Sequence, residues 1–202
     1  MRFCLFTAGE DQAPARMCLE TIRYHHADAT VVHLTDLQSD ELRGADEVWR
    51  SHWNGSMQTI MGLRMTHLAT LDDAPTVVLD TDILLRRPLY DVWRKPFQVA
   101  LTKREHPVMP YNTGVMFSRC GDFWRAVLHR MDDDHDFRAF LTEQLAVKAE
   151  AESGKWKVAD LDCDEWNCAN VNSVSVPPAR VLHYKGARKK WQVEHYERGV
   201  WR

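Results

Sequence analysis

Two aspartates one residue apart, Asp80 and Asp82, sit in the apolar run "TVVLDTDILL" at residues 76–85. Along an extended chain, alternate residues share a side, which would put the two Cα atoms about 7 Å apart with both carboxylates facing the same way. Like charges this close repel unless a proton or a cation holds them. A hard divalent ion with oxygen ligands, Mn²⁺ or Mg²⁺, is the simplest partner, and such ions also bind substrate phosphates. A surface turn whose aspartates cap backbone N–H groups would use the same three residues, because so short a motif recurs by chance.

The elements that must position the pair can be read from hydrophobic periodicity. "RFCLFTAG" is a buried strand running into a loop, and residues 10–26 carry Ala13, Met17, Leu19 and Ile22 at helical spacing. "ATVVHLTD" and "ADEVWR" predict a second and a third strand, residues 57–71 a helix through Ile60, Leu63, Leu68 and Leu71, and "APTVVLD" the strand that ends on the aspartates. Past Asp82, "FQVALTK", "NTGVMFS", "KWKVADLD" and "ARVLHYKG" are strand-like, while residues 122–131 and 137–151 are helix-like. Alternating strands and helices predict an α/β chain with a mainly parallel central sheet flanked by helices. In such sheets ligands collect beyond the carboxyl ends of the strands, where Asp80 and Asp82 would lie. The acidic run at residues 132–136 reads as a solvated turn between helices.

Composition narrows the function classes. With 202 residues, 45% hydrophobic and 27% charged, the chain is expected to form one domain over residues 1–202. A net charge of −3 gives no overall attraction for nucleic acid. Duplex DNA would need a local cluster such as Lys103-Arg104 or "GARKK". Five cysteines without a C-x-x-C pair argue against a disulfide framework or a zinc site, and predict reduced thiols and a cytoplasmic location. The opening apolar run is too short for a signal peptide, and no apolar stretch is long enough to span a bilayer.

Two enzyme classes end an apolar strand in D-x-D. Haloacid-dehalogenase-like phosphatases use the first Asp as nucleophile and the second as acid, usually near the start of the domain. Glycosyltransferases of the GT-A fold use the pair to hold Mn²⁺ or Mg²⁺ against the diphosphate of a nucleotide sugar. Here a long α/β segment precedes the pair, suiting a nucleotide-binding half at 1–82 ahead of the metal site and a donor-sugar and acceptor half at 83–202, which favours the second class. "YNTGVMF" at residues 111–117 resembles the N-[ST]-G-[VI] strand of glycogenin-like and bacterial lipopolysaccharide glycosyltransferases. "HYKGARKKW" at 183–191 resembles their H-x-x-G-x-x-K-P-W signature, with Lys190 in place of proline, and Glu143-Gln144 resembles their Asp-Gln pair. "DEWNCAN" at 164–170 is similar to their aromatic-Asn step.

The resemblance covers residues 2–191 in matching order and implies a Rossmann-like GT-A domain that moves a sugar from a UDP-sugar to an acceptor hydroxyl with retention. It implies Asp80, Asp82 and His183 as metal ligands, and Glu143 and Gln144 as the residues beside the donor sugar. It implies Thr7, Ala8, Gly9, Arg64, Asp80, Thr81, Asn112, Thr113, Gly114, Gly186 and Lys189 as the donor-binding set. Arg64 and Lys189 would place fixed positive charge where the departing diphosphate gains negative charge, and Gly186 would let backbone N–H groups approach it. Gln144 is a poor nucleophile, which favours front-face attack over a covalent intermediate. Each residue also has a plainer reading: His183 as a structural histidine, Arg64 as an exposed helix arginine, Asn112 in an Asx-turn, and Glu143 and Gln144 facing solvent.

Departures from the family pattern fall on recognition. Gln12, Ala13 and Pro14 stand where the family often has a tyrosine that stacks on the base, and Glu143 is one methylene longer than the family Asp. Trp53, in "SHWNGS", and the loop "KREHPVMP" at 103–110 are candidates for the rim of the site. The acceptor stays open among a glycan, a protein, a small molecule and a modified nucleobase. The alternatives are a phosphatase using Asp80 and Asp82, and a nucleotide- or metal-binding module without catalysis.

Overall fold

The computed structural model describes residues 1–9, 11–52, 60–133, 142–169 and 171–202. Trp53, the first residues of the two helices expected from 57 and 137, and the end of the acidic run lie outside them. Strand β1 (Arg2–Phe6), helix α1 (Ala13–His25), β2 (Thr30–Asp36), β3 (Glu47–Ser51), α2 (Ile60–Leu68) and β4 (Thr76–Leu79) follow the predicted order. Then come β5 (Ile83–Leu85), a short 3-10 helix (Tyr90–Arg94), β6 (Val99–Lys103), β7 (Tyr111–Ser118), α3 (Gly121–Asp133), α4 (Thr142–Ala151), β8 (Val158–Asp162), α5 (Cys163–Trp166), β9 (Val181–His183) and α6 (Lys189–Glu197).

Seven strands form one sheet in the order β3-β2-β1-β4-β7-β6-β8. Strand β7 runs antiparallel to both neighbours, and the other ladders are parallel, so the expectation of a mainly parallel sheet holds. Parallel strands buried on both faces read as unbroken apolar runs, as β1 and β4 do. Their alternate residues feed two cores. Phe3, Leu5, Val77 and Leu79 pack with Ala15, Leu19 and Ile22 of α1. Cys4, Val78 and Met116 pack with Met65 and Leu68 of α2 and Phe123, Trp124 and Val127 of α3. Helices thus cover both faces, and Pro14 opens α1 in its first turn, where the helix uses no N–H.

Two features that the sequence pattern did not reveal build the site. The apolar run through the aspartates is not one strand: β4 stops at Leu79, and after a bend β5 pairs antiparallel with β9 in a separate two-stranded sheet. In addition, the β6–β7 register jumps from Leu101↔Met116 to Thr102↔Asn112, leaving Thr113, Gly114 and Val115 of β7 without partners on β6. Such an irregularity re-aims a strand, and here it falls on the N-T-G segment. The segment "KKWQVEHYE", which carries no helical pattern obvious from the motif reading, is helix α6, and its Gln192 is buried with its amide donating to the carbonyl of Thr81 at 3.1 Å.

Candidate functional site

The β5–β9 ladder joins two distant parts of the chain. Ile83 is paired with His183, and the Tyr184 N–H donates to the Asp82 carbonyl at 2.8 Å, so Asp82 and His183 lie side by side. Asp80 is fixed from the other direction, its N–H donating to the Gly114 carbonyl at 2.9 Å. His183 Nε2 lies 3.0 Å from Asp82 Oδ1 and 3.4 Å from Asp80 Oδ2. One ligand atom from each of the three residues falls within 4.8 Å of the others. Two carboxylates and an imidazole can hold a divalent ion, and the donor set therefore fits the divalent metal expected from sequence.

His183 is oriented for that task. Its Nδ1 lies 2.7 Å from Asn167 Oδ1, while the Asn167 amide NH₂ donates to Thr102 Oγ1 at 2.8 Å and to the Asn112 carbonyl at 3.3 Å. A carbonyl only accepts, which fixes which end of the Asn167 amide is oxygen. Nδ1 therefore carries a hydrogen, which leaves Nε2, facing the two aspartates, to donate to Asp82 when it is protonated and to offer its lone pair to a metal when it is not. This is the outer-shell arrangement that fixes a metal-binding histidine. Gly114 leaves room for it. A Cβ there would stand 2.2 Å from His183 Cε1 and 3.0 Å from Asp80 Oδ2.

Charges around the aspartates are arranged in layers. Arg64, buried on α2, donates from Nη1 to Asp80 Oδ1 and from Nη2 to the Thr113 carbonyl, both at 2.9 Å, and lies 3.4 Å from Glu143 Oε1. Burial opposes its charge, but Glu143 and Asp80 hold the guanidinium firmly protonated. Arg64 is thus no exposed helix arginine. Glu143 is 1% exposed, and burial pushes its carboxyl upward despite Arg64. Neither of its carboxylate oxygens makes a hydrogen bond of ordinary length among the described residues. Burial likewise works against ionised Asp82, yet His183 and Lys189 keep it below the usual carboxylate range. Lys189 reaches Asp82 Oδ2 at 3.4 Å from a largely exposed position at the start of α6.

The remaining expected residues are spread around this centre. Asn112 is buried, and its Oδ1 accepts from the Gly114 N–H at 3.2 Å and from Lys185 Nζ at 2.7 Å, which makes its amide part of a fixed network. Gln144 Oε1 accepts from Arg104 Nη2 at 3.0 Å. Thr113 is buried, with its carbonyl on Arg64. Gly186 has φ +57, a conformation that favours glycine, at the start of a 3-10 turn (Gly186–Arg188). Thr7, Ala8 and Gly9 follow β1. The Thr7 N–H is bound to the Leu34 carbonyl at 3.1 Å, and the Gly9 N–H to Ser39 Oγ at 2.7 Å. Ser39 is itself held by Asp36, the last residue of β2.

Sequence reasoning assigned no role to Lys185, Cys163 or Asn167, and placed Arg104 only within the rim loop at 103–110. The signals were slight: a charged residue inside "HYKG", and the Asn that follows Trp166. A cleft of about 530 Å³ is lined by residues that include Arg104, Asp160, Asp162 and Cys163, the last with its sulfur 3.9 Å from the Asn112 amide.

No family model matches the chain, and no curated protein matches it. Solved structures do. LgtC galactosyltransferase, determined with donor and acceptor sugar analogues, superposes with a TM-score of 0.64 at 14% identity, over 98% of this chain and 94% of that one. A glycosyltransferase involved in glycosylation of the major capsid of PBCV-1 gives 0.67 at 14% identity, over 98% and 100%. GlyE of Streptococcus pneumoniae TIGR4 gives 0.65 at 12%, over 97% of this chain and 61% of that one. The chain therefore has the fold of these glycosyltransferases, as its sequence resemblance implied. Among the described residues, no helix is long and apolar enough to cross a membrane.

Proposed function

We propose that the protein is a metal-dependent glycosyltransferase that moves a sugar from a nucleotide diphosphate sugar, with UDP favoured, to an acceptor hydroxyl. The observation that carries this reading is the meeting of Asp80, Asp82 and His183 at the carboxyl end of β4, with Nε2 of His183 turned toward both carboxylates. The fold shared with solved glycosyltransferases supports it. The phosphatase alternative finds no support in these likenesses.

When bound, Mn²⁺ or Mg²⁺ would act as a Lewis acid that neutralises charge on the departing diphosphate. Asp80, Asp82 and His183 would hold it. Arg64 serves that function at one remove: its bond to Asp80 fixes the carboxylate, and its burial keeps it from moving to the diphosphate. Lys189, paired with Asp82 at 3.4 Å but largely exposed at the start of α6, would swing onto the diphosphate as charge develops, with backbone N–H groups at Gly186 beside it. Thr7, Ala8, Gly9 and Thr81 border the nucleoside side, in the half of the chain spanning residues 1–82.

On the sugar side, Glu143 presents a buried carboxylate with spare acceptor capacity, suited to sugar hydroxyls, with Asn112, Thr113 and Gly114 at its flank. Gln144, an amide held by Arg104, orients rather than attacks. Retention would then follow from front-face attack, with the leaving phosphate taking the acceptor proton. Accumulation of a glycosyl adduct on Glu143 would overturn that part of the reading.

The test is thermal unfolding with nucleoside diphosphates and nucleotide sugars, each with Mn²⁺, Mg²⁺ or EDTA. A ligand that binds only the folded chain raises Tm by mass action. A shift that needs both metal and one nucleotide, and that is lost in Asp82→Ala, supports the donor site and identifies the base. Absence of any shift, with phosphatase activity lost in Asp80→Asn, would replace this reading.

A further inference from the structure

The bend that carries the two aspartates leaves the main sheet, so its backbone must find partners elsewhere. Asp80, Thr81 and Asp82 lie between β4 and β5 and belong to no strand. The Asp80 N–H donates to the Gly114 carbonyl at 2.9 Å, and the Asp82 carbonyl accepts the Tyr184 N–H at 2.8 Å. Between them, the Thr81 carbonyl accepts from the side-chain amide of Gln192 at 3.1 Å, and among the described residues no other hydrogen bond to it is formed. Gln192 is 1% exposed, and its NH₂ also lies 3.4 Å from the carbonyls of Ile83 and Pro14. Carbonyls only accept, so the end of the amide among them is the NH₂. One side chain of α6 thus ties the bend to the start of β5 and to the first turn of α1.

A peptide group is planar, so the carbonyl of Thr81 and the N–H of Asp82 turn together. Holding that carbonyl fixes the peptide that enters Asp82, and Tyr184 holds the one that leaves it. Asp82 is therefore pinned on both sides, with its Oδ1 3.0 Å from His183 Nε2. Without Gln192 the entering peptide can rotate, and the Asp82 carboxylate moves with it. The neighbouring turns of α6 repeat the relationship. Lys189, three residues before Gln192, reaches Asp82 Oδ2 at 3.4 Å, and His195, three residues after, has its Nδ1 3.1 Å from the Tyr184 hydroxyl. Residues three apart on a helix are neighbours on its surface. One face of α6 therefore meets Asp82, the residue before it and the residue after His183.

We propose that Gln192 is a positioning residue of the metal centre: through the Thr81 carbonyl it sets the direction in which the Asp82 carboxylate is presented to a divalent ion, without touching the ion itself. The inference rests on the reading of Asp80, Asp82 and His183 as metal ligands. It makes α6 part of the centre rather than a packing element alone.

Mn²⁺ binding is titrated by electron paramagnetic resonance of the free ion, well below Tm, with and without UDP. Gln192→Met keeps the side chain's length and removes the donor. It should weaken Mn²⁺ by about tenfold, the lower end of the range for outer-shell partners, while the chain stays folded by circular dichroism. Gln192→Asn keeps a buried amide that is one methylene too short for the Thr81 carbonyl, and should show the same loss. Tyr196→Ala is the control. Tyr196 donates to Glu20 and stacks on Trp201, so its removal should loosen α6 and lower Tm while leaving the affinity for Mn²⁺ unchanged.

Unchanged Mn²⁺ affinity in a folded Gln192→Met or Gln192→Asn chain would overturn the proposal. So would an equal loss in Tyr196→Ala, which would assign the effect to the seating of α6 as a whole. A wild-type protein that binds no Mn²⁺ would overturn the proposal together with the metal-dependent reading. A wild-type protein that binds Mn²⁺ but does not respond to UDP, with the loss present in both Gln192 variants, would overturn the donor reading and support the role of Gln192.

Discussion

His183 Nδ1 donates to Asn167 Oδ1 at 2.7 Å, and this bond decides what the other face of the ring can do. Asn167 is buried and cannot turn over, because its NH₂ is committed to Thr102 and the Asn112 carbonyl. Asn167→Ala should therefore weaken the divalent ion without touching a ligand, by about 10- to 100-fold as outer-shell partners do. Titrating Mn²⁺ at fixed UDP and reading Tm measures it directly. Unchanged metal affinity would mean that the three ligands position themselves.

Gly114 should tolerate no side chain. Its added Cβ would stand 2.2 Å from His183 Cε1, and the ring is held by Asn167. Gly114→Ala is expected to displace His183 or Asp80, to destabilise the fold by about 1–3 kcal/mol as overpacking does, and to abolish the metal-dependent UDP shift. A variant with a wild-type Tm and a normal UDP shift would show that β7 can move away.

Arg64 bridges a fully buried carboxylate, Glu143, and a partly exposed one, Asp80. Arg64→Met should lower stability by about 3–5 kcal/mol, because it strands buried Glu143 without its cation. Adding Glu143→Leu should recover part of that loss, since an apolar pair of similar volume removes the uncompensated charge. Denaturant unfolding of the two variants decides the point. A double variant less stable than the single would mean that Arg64 acts mainly through packing.

Two buried histidines give the fold a pH limit away from the site. His26 Nε2 accepts the Leu89 N–H at 3.1 Å, and His33 Nδ1 accepts the Leu42 N–H at 3.0 Å. A nitrogen that accepts an N–H carries no proton, so both rings are neutral in the folded chain. Burial pushes each from 6.5 down to about 4. Between those values the unfolded chain binds more protons, so stability rises with pH across the window. Their contribution is complete above about pH 6.5 and is lost as pH falls to about 4, on the order of 3 kcal/mol for each ring. Urea unfolding at pH 7, 5.5 and 4.5 should show the decline. His26→Gln, whose side-chain carbonyl can accept the same N–H without titrating, should reduce it. A flat profile in the wild type would contradict this account.

Much of this protein was legible in its sequence, because the signals were local. Buried parallel strands must be apolar on both faces, so β1, β2 and β4 stood out as unbroken runs, and α1 showed its inward stripe. D-x-D, N-T-G, Glu143-Gln144 and H-x-x-G-x-x-K fell in an order that matched the fold now seen. What sequence could not show was how distant segments pair. The split of "TVVLDTDILL" into β4 and β5 depends on β9, about a hundred residues later, offering a better partner than the main sheet. That pairing brings Asp82 to His183. The register jump in β7 and the helix formed by α6 depend likewise on their neighbours. Burial changes chemistry in the same way. Periodicity gave Arg64 and Glu143 only places on helices, and their parts in the site came from the family resemblance. Only the packed structure takes both out of water as partners, because the energy of a charge is set by what surrounds it rather than by what precedes it in the chain.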